Sequence, residues 1–179
     1  VIVGKKDVSP GVAIDLLQKL GSEFPVYISK GNHEMRTGLY TEQYGDIWEC
    51  LYEQTKDYAH WLINEKATLA SDNIQIVGLD IDAAYYRRFR LQKMETDYLV
   101  KLLPTRHQDA YTILLAHNPD YFPVYAEWGA DLVLSGHVHG GMVILPVLGG
   151  VVSPMVRLFP KYYRGMYECR NKKMILTGG

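Results

Sequence analysis

Gly31-Asn32-His33-Glu34, His117-Asn118-Pro119 and Gly136-His137-Val138-His139-Gly140-Gly141 place imidazole, amide and carboxylate side chains at separate points of the chain. Neutral imidazole nitrogens and an amide oxygen suit borderline divalent ions such as Mn, Fe or Zn. No cysteine lies near these stretches, which argues against a thiolate site. A closed structural zinc site would show four Cys or His ligands at short spacing, and neither Cys50 nor Cys169 has such a partner. The mix points to catalytic metal chemistry, and so to a metal-dependent hydrolase.

Each stretch follows an apolar run of strand length and carries a Gly or Pro that stops the strand. Val26-Tyr27-Ile28 leads to Asn32, Tyr111-Thr112-Ile113-Leu114-Leu115 to His117, and Asp131-Leu132-Val133-Leu134 to His137. Parallel strands buried on both faces read as such continuous runs and end at one edge of their sheet, so separated segments can deliver side chains to one spot. Ser9-Pro10 predicts a helix start with Ser9 as N-cap and Pro10 at N1, a buried stripe of Ile14, Leu16, Leu17 and Leu20, and an end at Gly21. A longer helix is expected over 42–63 and another over 92–103 before Pro104, with Ile74-Gln75-Ile76-Val77-Gly78-Leu79 as a strand between them. This alternation, without an internal repeat, implies a layered α/β architecture.

The motifs resemble the calcineurin-like metallophosphoesterase family, in particular its bacterial YkuE-type branch. The family signature runs Asp-x-His, Gly-Asp, Gly-Asn-His-Asp/Glu, a lone His after a strand, and Gly-His-x-His. This chain matches the last three blocks in order, and the resemblance spans residues 9–167. It implies an α/β/β/α sandwich, two packed mixed sheets flanked by helices. No Asp-x-His occurs, and the chain opens at Val1-Ile2-Val3-Gly4, already past the place of a Gly-Asp. The expectation is a single domain over 1–179, incomplete at both ends, whose first βα unit with Asp-x-His and Gly-Asp lies upstream of Val1.

The resemblance also implies roles. Asn32, His117 and His137 would bind one divalent ion and His139 a second, with Mn, Fe or Zn as the expected metals and the bridging Asp upstream. Such paired ions stand ~3.5–4 Å apart and activate a water for in-line displacement at phosphorus. His33 would lie over the substrate, stabilising the transferring phosphoryl group or protonating the leaving oxygen. Glu34 would hydrogen-bond the His33 ring and keep it charged, since a neighbouring carboxylate raises an imidazole pKa.

Other residues have weaker claims. Asp80 and Asp82 follow a strand and could reach a cleft as substrate-binding groups, or simply form a turn. In Tyr85-Tyr86-Arg87-Arg88-Phe89-Arg90, Arg87 and Arg88 could grip a second phosphate or an acidic headgroup, or the run is a turn with its aromatics packed on a neighbour. His60 and His107 read as helix-surface or loop residues. The apolar, Gly- and Pro-punctuated segment 143–154 could accept a lipid chain or touch a membrane surface, which would fit a lipid-linked substrate, or it is a loop and hairpin packed on the core.

Composition sets bounds. At 179 residues and 47% hydrophobic content the chain can bury one core. Lys plus Arg is 19 against 20 for Asp plus Glu, so there is no basic excess to attract nucleic acid. No apolar run approaches the ~20 residues of a membrane helix. Two distant cysteines are compatible with a reducing compartment, and both cytoplasmic and membrane-associated locations stay open. Oligomeric state is not legible. Two functions follow: a dinuclear phosphoesterase acting on phosphomonoesters, phosphodiesters or pyrophosphates, impaired in this fragment, or an inactive binding scaffold on the same fold.

Overall fold

The computed structural model describes residues 2, 5, 8–69, 73–87, 91–139, 143–145, 149–152 and 160–178. Its helices are α1 (Gly11–Glu23), α2 (Asn32–Leu39), α3 (Thr41–Tyr44), α4 (Ile47–Thr55), α5 (Thr96–Leu102) and α6 (Phe122–Trp128). Its strands are β1 (Tyr27–Ile28), β2 (His60–Trp61), β3 (Lys66–Leu69), β4 (Ile74–Leu79), β5 (Tyr111–Ala116), β6 (Leu132–Ser135), β7 (Val143–Leu145), β8 (Gly149–Val152), β9 (Gly165–Cys169) and β10 (Lys172–Leu176).

The runs at 74–79, 111–115 and 131–134 form, with β10, the parallel centre of a mixed sheet in the order β3-β4-β5-β6-β10-β9, whose edge strands β3 and β9 are antiparallel to their neighbours, whereas Val26-Tyr27-Ile28 supplies β1 of a separate pair. Register pairs Leu79 with Ala116 and Leu115 with Leu134, so the carboxyl ends of β4, β5 and β6 lie side by side. One face of this sheet is a closed core in which Val77, Leu114, Val133 and Met174 meet Leu99 of α5 and Phe122 and Tyr125 of α6, all of them fully buried. Each such side chain contributes ~1.5–3 kcal/mol. Gly129 ends α6 in the left-handed conformation at φ 112°, the usual helix stop.

A second layer is built on the parallel pair β1-β2, over which Ile14 and Leu17 of α1 and Ile47 and Leu51 of α4 pack with Trp61. The layers meet through bare backbone. A Cβ on Gly78 of β4 would stand 2.0 Å from the Leu62 carbonyl oxygen, so only glycine allows this approach. The result is the expected mixed α/β architecture, two sheets flanked by helices; the strands β7 and β8 pair antiparallel as a separate ribbon.

Several local expectations are corrected. In α1 it is Pro10 that occupies the N-cap position, with Ser9 Oγ accepting from Gly11 N at 3.1 Å. Ala13, Ile14 and Leu17 are buried, whereas Leu16 and Leu20 are exposed. Gly21 does not stop the helix; its missing side chain lets Tyr58 backbone pass, since a Cβ there would lie 2.0 Å from Tyr58 O. The helix expected over 42–63 is broken at Gly45, φ 68°, into α3 and α4, and its last part is strand β2. His60 therefore belongs to a strand, stacked on Tyr27 at 5.0 Å between ring centroids. The next helix is shorter than 92–103, starting only at Thr96. His107 is a loop residue, as expected, its backbone held by both ends of the Gln75 amide.

Candidate metal centre

Asn32 is the first residue of α2, immediately after β1. Gly31 precedes it in extended conformation, and a side chain on Gly31 would come within 3.1 Å of the His117 ring. Glu34 fixes this helix start: Oε2 accepts from Gly31 N and Oε1 from Ile2 N, each at 2.9 Å, with Glu34 only 2% exposed. A carboxylate in the first turn also suits the positive end of the helix.

His117 follows β5 directly, and His137 follows β6 after Gly136. Gly136 N donates to His117 O at 3.2 Å, which ties the two strand ends together. His137 and His139 both have left-handed backbone, φ 71° and 48°, and Val138 between them is buried. Non-glycine residues held in this region commonly mark a site that fixes its geometry against strain.

Three donor atoms converge. Asn32 Oδ1 lies 3.0 Å from His117 Nε2 and 3.3 Å from His137 Nδ1, and the two imidazole centroids are 5.2 Å apart. Ligands held ~2.0–2.2 Å from one divalent ion stand ~3.0–3.4 Å from each other, so these hydrogen-bond-length spacings are also compatible with one coordination shell. Burial holds His117 down to about 4 against the opposing Glu34 charge, and burial together with the neighbouring imidazoles holds His137 down to about 3. Both are neutral near pH 7, the form that ligates. His137 Nε2 is buried with no hydrogen-bond partner among the described residues. Two neutral imidazoles and an amide oxygen fit a borderline divalent ion, whereas no group of three or more His, Cys, Asp or Glu side chains that could hold a metal is present among the described residues.

His139 is exposed and lines, with His117, His137, Lys30, Ser135 and Thr177, a cavity of about 370 Å³ at the strand ends. His33 follows Asn32 and is half-buried. Its pKa is lowered, burial outweighing the raising effect of Glu34, which reverses the expectation of a charged ring. The physical reason is desolvation of the half-buried ring; Glu34, whose oxygens accept from the Gly31 and Ile2 N–H groups, opposes it without overcoming it.

Asp80 is half-buried, 3.5 Å from Lys30 Nζ; burial raises its carboxyl and Lys30 opposes that. Asp82 is a turn former, its Oδ1 accepting from Ala84 N at 2.7 Å. Arg87 is exposed and borders a different cleft with Leu91, Gln92 and Lys93, and Arg88 lies outside the described residues. One neighbour of the site escaped the sequence argument. Lys30, next to the Gly-Asn-His block, bridges Asp80 and the Trp48 ring at 4.3 Å. Tyr86, in the run read as a turn with its aromatics packed on a neighbour, packs against the His117 and His137 rings.

The α/β layered fold thus brings two imidazoles at adjacent strand ends against an amide at the start of α2. The calcineurin-like phosphoesterase family model matches residues 4–141, and the chain belongs to that family. It is 34% identical over 173 residues to the uncharacterized metallophosphoesterase YkuE of Bacillus subtilis, covering 93% of this chain and 52% of YkuE. Against the phosphodiesterase YaeI of Escherichia coli the identity is 29%, covering 92% of this chain and 54% of YaeI. Against the UDP-2,3-diacylglucosamine pyrophosphatase LpxG of Chlamydia trachomatis it is 40%, over 48% of this chain and 22% of LpxG. The chain thus spans about half the length of YkuE and YaeI and less of LpxG. No solved structure matches it at a significant level.

Proposed function

We propose that the protein hydrolyses phosphate esters or pyrophosphates with divalent metal, Asn32, His117 and His137 holding one ion and His139 contributing to a second. The observation that carries this is the convergence of Asn32 Oδ1, His117 Nε2 and His137 Nδ1 from three separate segments. When bound, such ions supply Lewis acidity toward the phosphoryl oxygens and a water acidic enough to attack. The chain's own part is to hold neutral donors at fixed spacing in a buried pocket. His33, half-buried beside Asn32, faces the substrate as the group that donates to the leaving oxygen or the phosphoryl group. YaeI, named a phosphodiesterase, and LpxG, named a pyrophosphatase, favour a diester or pyrophosphate over a monoester. The LpxG name also supports a lipid-linked substrate. No helix among the described residues is long and apolar enough to cross a membrane.

A preceding βα unit completing the site belongs to the same proposal. Gly78, Leu115, Leu134, Ile175 and Met166 form one row across the large sheet by register. The β1-β2 layer covers this row at Gly78, yet Leu134 is 38%, Ile175 47% and Met166 69% exposed. An apolar row left open beside the cavity is where further strands alongside β1 would pack and bring carboxylates to the second ion.

The test is metal content together with hydrolysis of bis-p-nitrophenyl and p-nitrophenyl phosphate, for this chain, for a version extended upstream, and for His137→Ala. Manganese-stimulated turnover in the extended version that vanishes in His137→Ala is expected. An extended version with neither bound metal nor turnover would leave the fold as a binding scaffold.

A further inference from the structure

We infer that Tyr86 is a positioning residue for the ligand imidazoles, its ring rather than its hydroxyl fixing how His117 and His137 present their nitrogens; this rests on the metal-centre reading above. The Tyr86 ring meets His137 edge-on at 5.3 Å between centroids and 61°, and His117 at 6.4 Å and 51°. With the His117–His137 pair at 5.2 Å and 70°, the three rings close a cluster in which each touches the other two. Such contacts fall within the 4.5–7 Å range of favourable aromatic pairs.

The need for a wall follows from imidazole chemistry. Rotation about the terminal torsion of histidine is broad and roughly two-fold, and a half-turn replaces Nδ1 by Cδ2 and Nε2 by Cε1. His117 presents Nε2 and His137 presents Nδ1 to the same Asn32 oxygen, so a flip of either ring would remove a donor. The Tyr86 ring lies against both.

Tyr86 is itself anchored to the segment that carries His117. It ends the short 3-10 turn Ala83–Tyr86, whose start is capped by Asp82 Oδ1. Tyr85 is buried between Tyr98 and Tyr121, at 4.8 and 5.5 Å, and its carbonyl accepts from Asn118 Nδ2 at 3.1 Å. Asn118 is fully buried, and Tyr125 Oη donates to its carbonyl at 3.0 Å. The turn and the His117-Asn118 pair therefore move as one unit, which keeps the Tyr86 wall in register with the ring it supports.

The test is Co²⁺ titration of the chain followed by visible absorption, for the wild type, Tyr86→Phe, Tyr86→Leu and Tyr86→Met, with urea midpoints of the metal-free forms. Phenylalanine should bind within about twofold of wild type, whereas leucine and methionine should bind ~10–100-fold more weakly, as for other residues that orient a metal ligand. Their Co²⁺ bands should shift while at least one of the two keeps the wild-type urea midpoint. Leucine and methionine variants that bind as wild type does, a phenylalanine variant as weak as leucine, or losses matched by lowered midpoints in both aliphatic variants would each overturn the inference. A wild type that takes up no Co²⁺, or as much as His137→Ala does, overturns the metal-centre reading itself and this inference with it.

Discussion

Asn32 Oδ1 and His117 Nε2 lie 3.0 Å apart although 85 residues separate them in the chain. The contact joins the first turn of α2 in one layer to the carboxyl end of β5 in the other, so the site depends on the two layers staying in register. Asn32→Ala and His117→Ala should each weaken Co²⁺ or Mn²⁺ binding by more than the ~10–100-fold typical of outer-shell partners. Calorimetric titration checks this, and unchanged affinity in either variant would remove that residue from the ligand set.

The buried imidazoles make the metal-free protein acid-sensitive. His117 and His137 are held down to about 4 and about 3 in the folded chain, chiefly by burial, against 6.5 when unfolded. Below pH 6.5 the unfolded state binds more protons than the folded one, so stability is full above that pH. It falls toward pH 4 for His117 and pH 3 for His137, by about 1.4 kcal/mol per pH unit for each ring at most. Urea unfolding of wild type and of a His117→Gln, His137→Gln double variant should therefore converge as pH drops from 7 to 4.5. A constant gap over that range would show that these rings do not titrate as burial dictates.

How far the sequence carried the fold can be argued from particular residues. Strand β4 was legible because Ile74–Leu79 is buried on both faces along nearly its whole length, and β5 and β6 because their runs stay apolar although one face of each is only partly covered. The residues that meet at the candidate site stood out because each follows such a run. The helix breaks around Gly45 were not, because Trp48, Tyr52 and Trp61 keep an aromatic rhythm through α4 into β2, where Trp61 packs edge-on to Trp48 at 5.1 Å. Gly21 and Gly78 illustrate the same limit: both are required by a backbone passing from another element, which periodicity cannot report. The depressed pKa of His33 was hidden because it turns on how far the fold buries the ring, which the proximity of Glu34 in sequence does not report.

Glu34 carries structural weight that its position beside His33 does not reveal. Its carboxylate accepts from both Gly31 N and Ile2 N while 2% exposed. Glu34→Gln cannot accept at both positions and should lose ~1.5–3 kcal/mol, the usual worth of hydrogen bonds to a charged acceptor. Because Gly31 sets the path into Asn32, metal affinity should fall with it. Stability equal to wild type in urea would mean the helix start does not depend on this side chain.

Gly78→Ala tests the contact between the layers. The added Cβ would come within 2.0 Å of Leu62 O and 2.5 Å of Leu62 Cβ, and the backbone has to yield. A loss of ~1–3 kcal/mol or more is expected from such overpacking. The displaced β2 end should also disturb the Asn32 side of the site, so metal binding weakens together with the unfolding midpoint. Neighbouring glycines with open space, such as Gly45, offer a control for the added methyl, although its φ of 68° carries its own cost.

The two faces of the large sheet should differ in what truncation costs. Leu114, fully buried against α5 and α6, should cost ~2–5 kcal/mol as Leu114→Ala. Leu134, next along the sheet but pointing to the open face and 38% exposed, should cost only ~0.5 kcal/mol as Leu134→Ala in this chain. In a version extended upstream, strands packed beside β1 would bury the Leu134 row, and the same substitution should then approach the cost at Leu114. Urea midpoints for both variants in both lengths decide it, and a Leu134→Ala cost that does not rise with the extension would place the added segment elsewhere than on this face.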